Sequence, residues 1–336
     1  MIVPERDQTT QTERFHLFRS SAPVATATFA DDVRSGLAAD PKRLLPKYFY
    51  DELGSALFEA ICALPEYYPT RVEAEILERS APAMLAALDA PVNIVEFGSG
   101  SARKTRALLE AALERQERVT YRPIDISPSA LESSASALVA EYERIDVRAY
   151  ASDYVQTLAS GDLRTDDRVL ALFLGSNIGN YDPAQARALL RAMADSFKPG
   201  DALLLGTDLK KDPAVLELAY NDPTGVTSAF DKNLLGRINR ELGGHFDLDG
   251  FAHVARYDAQ RGCVDSYLVA QRSMTVAIDA LHTTVRFFAS EAIHTESSYK
   301  FDEADVARLA EDSGFRVRER FLDDAARFAV SLLVIE

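Results

Sequence analysis

Between residues 92 and 206 the chain repeats one pattern, a short and nearly unbroken apolar run followed by an amphipathic stretch of helical period. The apolar runs fall at 92–97, 120–125, 145–149, 169–174 and 202–206, and the helices between them include 105–118, 128–142 and 183–197. A strand that is apolar on both faces must be covered on both, and strands separated by helices are joined by crossovers that leave them parallel. The expected fold class is therefore α/β, a doubly wound and mostly parallel sheet. Ligands of such sheets bind beyond the carboxyl ends of the strands.

The alternation has an interruption. Residues 29–88 read as helices, with Ala56, Leu57, Ile61 and Leu64 on one face and Val72, Ile76 and Leu77 on another. Pro65 and Pro69 break these helices around Glu66-Tyr67-Tyr68. Residues 211–241 read as helical, and 246–290 as strands without crossover helices. A helix at 302–312 and strands at 315–321 and 328–335 then return. The expected organisation is a sheet domain from 73–210 and 301–336, and a smaller second domain from 25–72 and 211–300. A cleft between the two is expected at the strands' carboxyl ends, and the polar segment 1–24 is expected to be mobile.

The 336 residues suffice for one or two packed units. A net charge of −15 and the lack of a basic cluster argue against a nucleic-acid partner, which would demand cations along a phosphate backbone. No apolar run is long enough to span a bilayer, and the N-terminus lacks the apolar stretch of a secretion signal. Cys62 and Cys263 have neither metal-type nor redox-type spacing, which fits free thiols in a cytoplasmic protein. The five histidines, His16, His245, His253, His282 and His294, show no ligand spacing, so no metal is expected. The expectation is a monomer acting on a small molecule, without membrane contact.

Three strand ends carry candidate binding residues. Glu96-Phe97-Gly98-Ser99-Gly100-Ser101 closes the first apolar run, and glycines there let main-chain amides approach a ligand. Asp125 ends the second run, near the spacing at which a carboxylate takes the two hydroxyls of a ribose. Asp153 follows the third, beside Tyr154, where an acid can accept from an adenine amino group while the ring covers the base. Each acid alone could be an ordinary exposed loop residue, but three at successive strand ends point to a nucleoside. The glycine loop lacks the third glycine of the dinucleotide fingerprint, with Arg103 in its place, so a pyrophosphate is less well served than a nucleoside with an amino-acid tail. Lys104 could pair with the carboxylate of such a tail, its ordinary alternative being a solvated first-turn lysine. Methyl transfer and hydride transfer both remain open at this stage.

Longer motifs carry a family resemblance. Leu45-Pro46-Lys47-Tyr48-Phe49-Tyr50-Asp51-Glu52-Leu53-Gly54-Ser55, followed by Leu64-Pro65-Glu66-Tyr67-Tyr68-Pro69-Thr70-Arg71, resembles the bacterial histidine Nα-methyltransferases of ergothioneine biosynthesis. So do Phe173-Leu174-Gly175-Ser176-Asn177-Ile178-Gly179-Asn180, Leu204-Leu205-Gly206-Thr207-Asp208-Leu209 and Thr295-Glu296-Ser297-Ser298-Tyr299-Lys300-Phe301. The resemblance runs from about Leu45 to the C-terminus. It implies a class I S-adenosylmethionine-dependent methyltransferase that moves three methyl groups onto one amine, giving hercynine. It also implies that Gly98, Lys104, Asp125, Asp153, Tyr154 and Gly175 hold the donor, S-adenosylmethionine, with no metal. Asn180 and Tyr220 would hold the substrate carboxylate, Tyr50 and Tyr67 would line the amine and ring region, and Tyr50 and Asn180 would be the catalytic residues. Glu296 and Ser298 would grip the imidazole, and their spacing on an extended segment points both side chains the same way.

The sequence departs from the family pattern at Ser266, in Cys263-Val264-Asp265-Ser266-Tyr267-Leu268, where a methionine is usual. A smaller, polar residue at that substrate-pocket position raises another aromatic amino acid as an alternative substrate. A second alternative is a catalytically inactive module that binds S-adenosylmethionine, and a third is a nicotinamide dehydrogenase.

Overall fold

The computed structural model describes residues 13–19, 28–88, 91–161, 163, 165 and 167–335. In chain order the elements begin with β1 (Phe15–Arg19), α1 (Phe29–Ala38), β2 (Lys42–Arg43), α2 (Glu52–Cys62) and α3 (Pro69–Ala86). The alternating stretch follows as β3 (Val92–Phe97), α4 (Arg106–Leu113), β4 (Val119–Asp125), α5 (Pro128–Glu141), β5 (Ile145–Ala151), α6 (Tyr154–Ser160), β6 (Arg168–Phe173), α7 (Pro183–Ser196) and β7 (Ala202–Asp208). After it come α8 (Pro213–Tyr220), α9 (Val226–Leu242), β8 (Phe251–Asp258), β9 (Cys263–Ala270), β10 (Met274–Ile278), β11 (Thr283–Phe287) and β12 (Ala292–Tyr299). The chain closes with α10 (Glu303–Asp312), β13 (Arg316–Leu322) and β14 (Phe328–Val334).

Two compact units result. The described residues of Met1–Val24, Arg71–Leu209 and Phe301–Glu336 make the first, and Ala25–Thr70 with Lys210–Lys300 make the second. The first unit is built on an eight-stranded sheet in the order β1-β5-β4-β3-β6-β7-β14-β13. Its strands from β1 to β7 pair in parallel, whereas β14 runs antiparallel to both β7 and β13. Every residue of β3, β7 and β14 is buried, as strands covered on both faces require. The unit therefore has the doubly wound, mostly parallel α/β architecture that the alternation predicts. Helix starts are well capped: Ser127 and Asp182 accept from main-chain N–H groups of α5 and α7, each of which has a proline in its first turn.

The second unit packs α1, α2 and α9 with an antiparallel ladder, β12-β9-β8, and the β10–β11 hairpin. Its core includes Phe49, Ile61, Phe230, Leu234, Phe251, Leu268, Phe287 and Ile293. The strand β12 pairs antiparallel to β9 with a register shift between His294 and Glu296. That bulge sits at Thr295, which is fully buried and satisfies its hydroxyl on the Ser266 carbonyl at 3.0 Å.

The expectation of a mobile segment over 1–24 needs correction at Phe15–Arg19. That stretch is a strand, paired in parallel with β5 from Phe15 opposite Val147 to Arg19 opposite Ala151. Phe15 and Leu17 are 1% and 0% exposed, and their burial against the sheet is what orders so short a strand. Arg14, just before it, donates to the carbonyl oxygens of Tyr142 and Val139 at 2.7 and 2.6 Å, and residues 1–12 and 20–24 lie outside the described residues.

Leu17→Ala should therefore destabilise the protein by about 2–5 kcal/mol, the range for truncating a fully buried leucine. The urea midpoint of unfolding checks this, and an unchanged midpoint would show that the strand adds no packing.

Candidate functional site

In the first unit, the strand order reverses at β3, which has β4 on one side and β6 on the other. The loops leaving these strands diverge there, which opens the edge of the sheet to a ligand. Gly98 follows β3 with φ of +77°, and a Cβ at this position would lie 2.5 Å from Tyr154 Oη and 3.1 Å from Asn177 Nδ2. Backbone conformation and space thus both require glycine. Asp125, at the end of β4, stitches that strand to the glycine loop. Its Oδ2 accepts from Gly100 N at 3.0 Å and its Oδ1 from Ser127 N at 3.0 Å. Burial pushes the Asp125 carboxyl above its ordinary value, against the opposing pull of the Ser127, Gly100 and Ile126 amides.

Asp153 caps α6, accepting from Val155 N at 2.9 Å, and its side chain is otherwise open to solvent. Tyr154 turns back toward the sheet and meets Phe97 and Phe173 edge-on at 6.0 and 5.9 Å. Its hydroxyl thereby stands over Gly98. Exposed apolar side chains stand close after both acids, Ile126 directly after Asp125 at 50% and Val155 two residues after Asp153 at 62%. Sequence reasoning passed over both, although an apolar residue within two positions of a strand-end acid was a readable signal.

A third residue missed by sequence reasoning organises the other side of this sheet edge. Glu73 on α3 is completely buried. One oxygen accepts from Gly175 N at 2.7 Å, and the other pairs with Lys104 Nζ. Gly206 on β7 leaves room for it, since a Cβ there would collide with Glu73 Oε1. Glu73 thus joins the loop after β3 to the loop after β6. Nearby, Glu96 accepts from Thr105 Oγ1 at 2.9 and 2.8 Å and from the Tyr121 hydroxyl. Burial pushes its carboxyl up to about 7 despite those two donors. Asn180 closes a 3-10 turn, Asn177–Asn180, and is half-buried in this first unit.

The second unit assembles a different constellation. Glu296 and Ser298 lie beyond the bulge on β12, opposite Ser266 and Val264 of β9. The Ser298 hydroxyl is 2.8 Å from the Tyr220 hydroxyl, and Lys300 Nζ donates to both at 2.8 Å. Lys300 is 3% exposed, so its charge sits where hydrogen bonds must satisfy it. The Tyr67 ring meets Tyr220 edge-on at 6.1 Å and Phe58 at 6.3 Å, and Tyr50 meets Phe58 at 5.6 Å and Phe230 at 5.8 Å. Burial holds the Tyr67 phenol well above its ordinary value, with the charges of Tyr220, Cys62, Tyr50 and Glu296 adding to the effect. Burial, and then the Asp231 charge, push Glu296 up to about 7, while Lys300, His294 and His253 pull the other way.

The structure thus brings Tyr50, Tyr67, Tyr220, Ser266, Glu296 and Ser298 into the second unit, and Gly98, Lys104, Asp125, Asp153, Tyr154, Gly175 and Asn180 into the first. Lys300 stood inside a quoted motif, yet nothing in its spacing marked it as buried. Among the described residues, no group of three or more His, Cys, Asp or Glu side chains is placed to hold a metal ion, and no helix is long and apolar enough to cross a membrane.

Both units fall within sequence matches to known proteins. A family model described as histidine-specific methyltransferase, SAM-dependent, matches residues 29–335. The histidine N-alpha-methyltransferase of Mycolicibacterium smegmatis is 42% identical over 314 residues, spanning 94% of this chain and 97% of that protein. The Mycobacterium tuberculosis protein of the same name is 44% identical over 302 residues, spanning 90% and 93%. Ergothioneine biosynthesis protein 1 of Schizosaccharomyces pombe is 28% identical over 293 residues, spanning 84% of this chain and 38% of that protein. With a family model covering nearly all of it and relatives matched almost end to end, the chain belongs to the histidine-specific, S-adenosylmethionine-dependent methyltransferases.

Proposed function

We propose that the protein methylates the α-amine of L-histidine three times, forming hercynine for an ergothioneine pathway in the cytoplasm. The observation that carries the substrate reading is the polar set of the second unit: half-buried Glu296 and buried Ser298 on one strand face, with Lys300 and Tyr220 fixing the serine. The histidine-methylating relatives support it, and the two free cysteines suit a reducing compartment.

The first unit suits S-adenosylmethionine. Gly98 keeps the main chain bare, Asp125 offers carboxylate oxygens beside it, and the exposed Ile126 and Val155 offer apolar cover for a flat base next to Asp125 and Asp153. Lys104 and the Gly175 loop, both tied to Glu73, are assigned to the amino-acid tail. When bound, the donor supplies a methyl group already activated on a sulfonium. The protein must then present an unprotonated amine, although an amino acid's amine is mostly protonated at neutral pH. Positioning and desolvation do most of that work. Tyr67 stays a neutral phenol, so it can orient the amine by hydrogen bonding without acting as a strong base. Tyr50 lines the same aromatic wall, and Asn180 in the first unit has the right chemistry to donate to a carboxylate.

The ring half of the pocket has a direction. Lys300 can only donate, so it donates to both Tyr220 and Ser298. Either hydroxyl can donate to the other; with Tyr220 donating, the Ser298 hydrogen is left to donate to an unprotonated ring nitrogen. The other ring N–H donates to Glu296 as a carboxylate. The arrangement selects neutral imidazole. Ser266, 4% exposed and opposite Glu296, is the one feature favouring a bulkier aromatic substrate.

Mass spectrometry of histidine, tryptophan, tyrosine and phenylalanine after incubation with donor tests the reading. Mono-, di- and trimethylhistidine are expected, and a preference for another amino acid would overturn it. Glu296→Ala should lower histidine turnover roughly 10²-fold or more, because an unpaired polar ring is strongly rejected. The KM for histidine should fall as pH rises through about 7, because Glu296 carries a proton below that value and accepts from the ring above it. Glu296→Gln should flatten this dependence. On the donor side, Asp125→Ala and Glu73→Ala should each weaken S-adenosylhomocysteine binding by about 1.5–3 kcal/mol, read by calorimetry, while leaving the protein folded.

A further inference from the structure

Behind Tyr220 and Glu296 lies a buried ion pair that neither half of the proposed chemistry uses. His253 on β8 and Asp231 on α9 have side chains only 4% and 2% exposed. His253 Nδ1 lies 2.6 Å from Asp231 Oδ2, and Nε2 lies 2.8 Å from the main-chain carbonyl oxygen of Tyr220. A carboxylate and a carbonyl can only accept, so each ring nitrogen must carry a hydrogen. Burial works against that charge, but the Asp231 hydrogen bond and charge, the Tyr220 carbonyl and the Asp222 charge outweigh it, leaving His253 above its ordinary value.

The placement of this imidazolium has two consequences. Tyr220 is the last residue of α8, where helix carbonyls lack partners and carry partial negative charge. A cation donating to that carbonyl fixes the main chain from which the Tyr220 side chain reaches Ser298 and Lys300. Asn221, the next residue, adds neutral bonds to β8, at 2.9 Å from Ala255 N and 2.8 Å to the Ala255 carbonyl oxygen. Asp231, meanwhile, faces Glu296 electrostatically, together with His253, Lys300, His294 and Tyr67. Its second oxygen, Oδ1, is buried without a hydrogen-bond partner among the described residues, so the His253 charge is what compensates it.

We propose that the His253 imidazolium is a positioning residue of the amino-acid pocket, clamping the end of α8 so that the Tyr220 hydroxyl meets Ser298 and Lys300, and offsetting the Asp231 charge felt by Glu296. This rests on the reading of that pocket as the histidine site.

The test uses the full chain and the pH dependence of the histidine KM. His253→Gln removes a positive charge near Glu296 and should move the pH midpoint upward. Asp231→Asn removes the larger, negative influence and should move it downward, each by roughly half a unit or more. Both should raise KM roughly tenfold, with kcat less affected and S-adenosylhomocysteine affinity unchanged. Either single variant leaves a buried group unpaired and can impair folding, so the double variant Asp231→Asn/His253→Gln, which buries no net charge, completes the test. It should show a midpoint between that of Asp231→Asn and wild type, with a raised KM. Equal midpoints in both single variants, shifts of the same sign, or a wild-type KM in the double variant would overturn the proposal. If Glu296→Gln flattens the profile while these variants leave it unchanged, only the positioning role fails. If Glu296→Gln leaves the profile intact, the reading of the pocket itself fails.

Discussion

A parallel strand cannot be followed directly by its neighbour, because the chain must first return to the same end of the sheet. In the first unit this constraint sends every loop after β3, β4, β5 and β6 out at one edge, and the reversal of strand order at β3 spreads them apart. Gly98, Asp125, Asp153 and Gly175 are therefore neighbours because of topology, although nearly eighty residues separate the first from the last. The main chain does the rest. Gly98 needs a positive φ, and Asp125 spends both oxygens on the amides of Gly100 and Ser127. A carboxylate so held is aimed before any ligand arrives, which reduces the ordering a ligand must bring about.

Both units place charge where water is scarce. An ionised group out of water is costly unless paired and hydrogen-bonded, and swapping such a pair for apolar residues is often neutral or stabilising. Glu73 with Lys104, and Asp231 with His253, are therefore poor explanations of stability. Their geometry fits another purpose. Each pair ties a main-chain group to a candidate binding residue: Glu73 holds Gly175 N, and His253 holds the carbonyl of Tyr220. Directional bonds in a low-dielectric interior fix loops and helix ends more sharply than packing alone.

The sheet was legible in the sequence because its strands are apolar on both faces and its helices have a clear period. The runs read at 92–97, 120–125 and 145–149 correspond to Val92–Phe97, Val119–Asp125 and Ile145–Ala151. The strand at Phe15–Arg19 was not legible, since five residues in a polar stretch show too little alternation and are ordered by the sheet they join. Strand-end acids could be read, because their position relative to an apolar run is local information. Glu73 could not. It is one of three glutamates on α3, with Glu75 and Glu78, and only the tertiary fold distinguishes the buried one from its neighbours. Asp231 and His253 lie 22 residues apart on a helix and a strand, and no spacing rule joins them.

The bulge in β12 shows how much a single residue changes in such a reading. Strict alternation would put His294, Glu296 and Ser298 on one face. With one extra residue at Thr295, His294 instead shares a face with Ser297 and Asp265, its Nε2 lying 3.0 Å from the Ser297 hydroxyl and 3.3 Å from the Asp265 carboxylate. The ring that would have stood beside Glu296 is turned away from it. Glu296 is then left facing Ser266 across the ladder, with no partner of opposite charge bonded to it among the described residues, while burial and then the Asp231 charge raise its proton affinity. A carboxyl in that position is most stabilised by a ligand that brings a hydrogen of its own, which a neutral imidazole does and an apolar ring does not. On the proposed reading of this pocket, substrate choice begins with the bulge that turns the protein's own His294 away from Glu296.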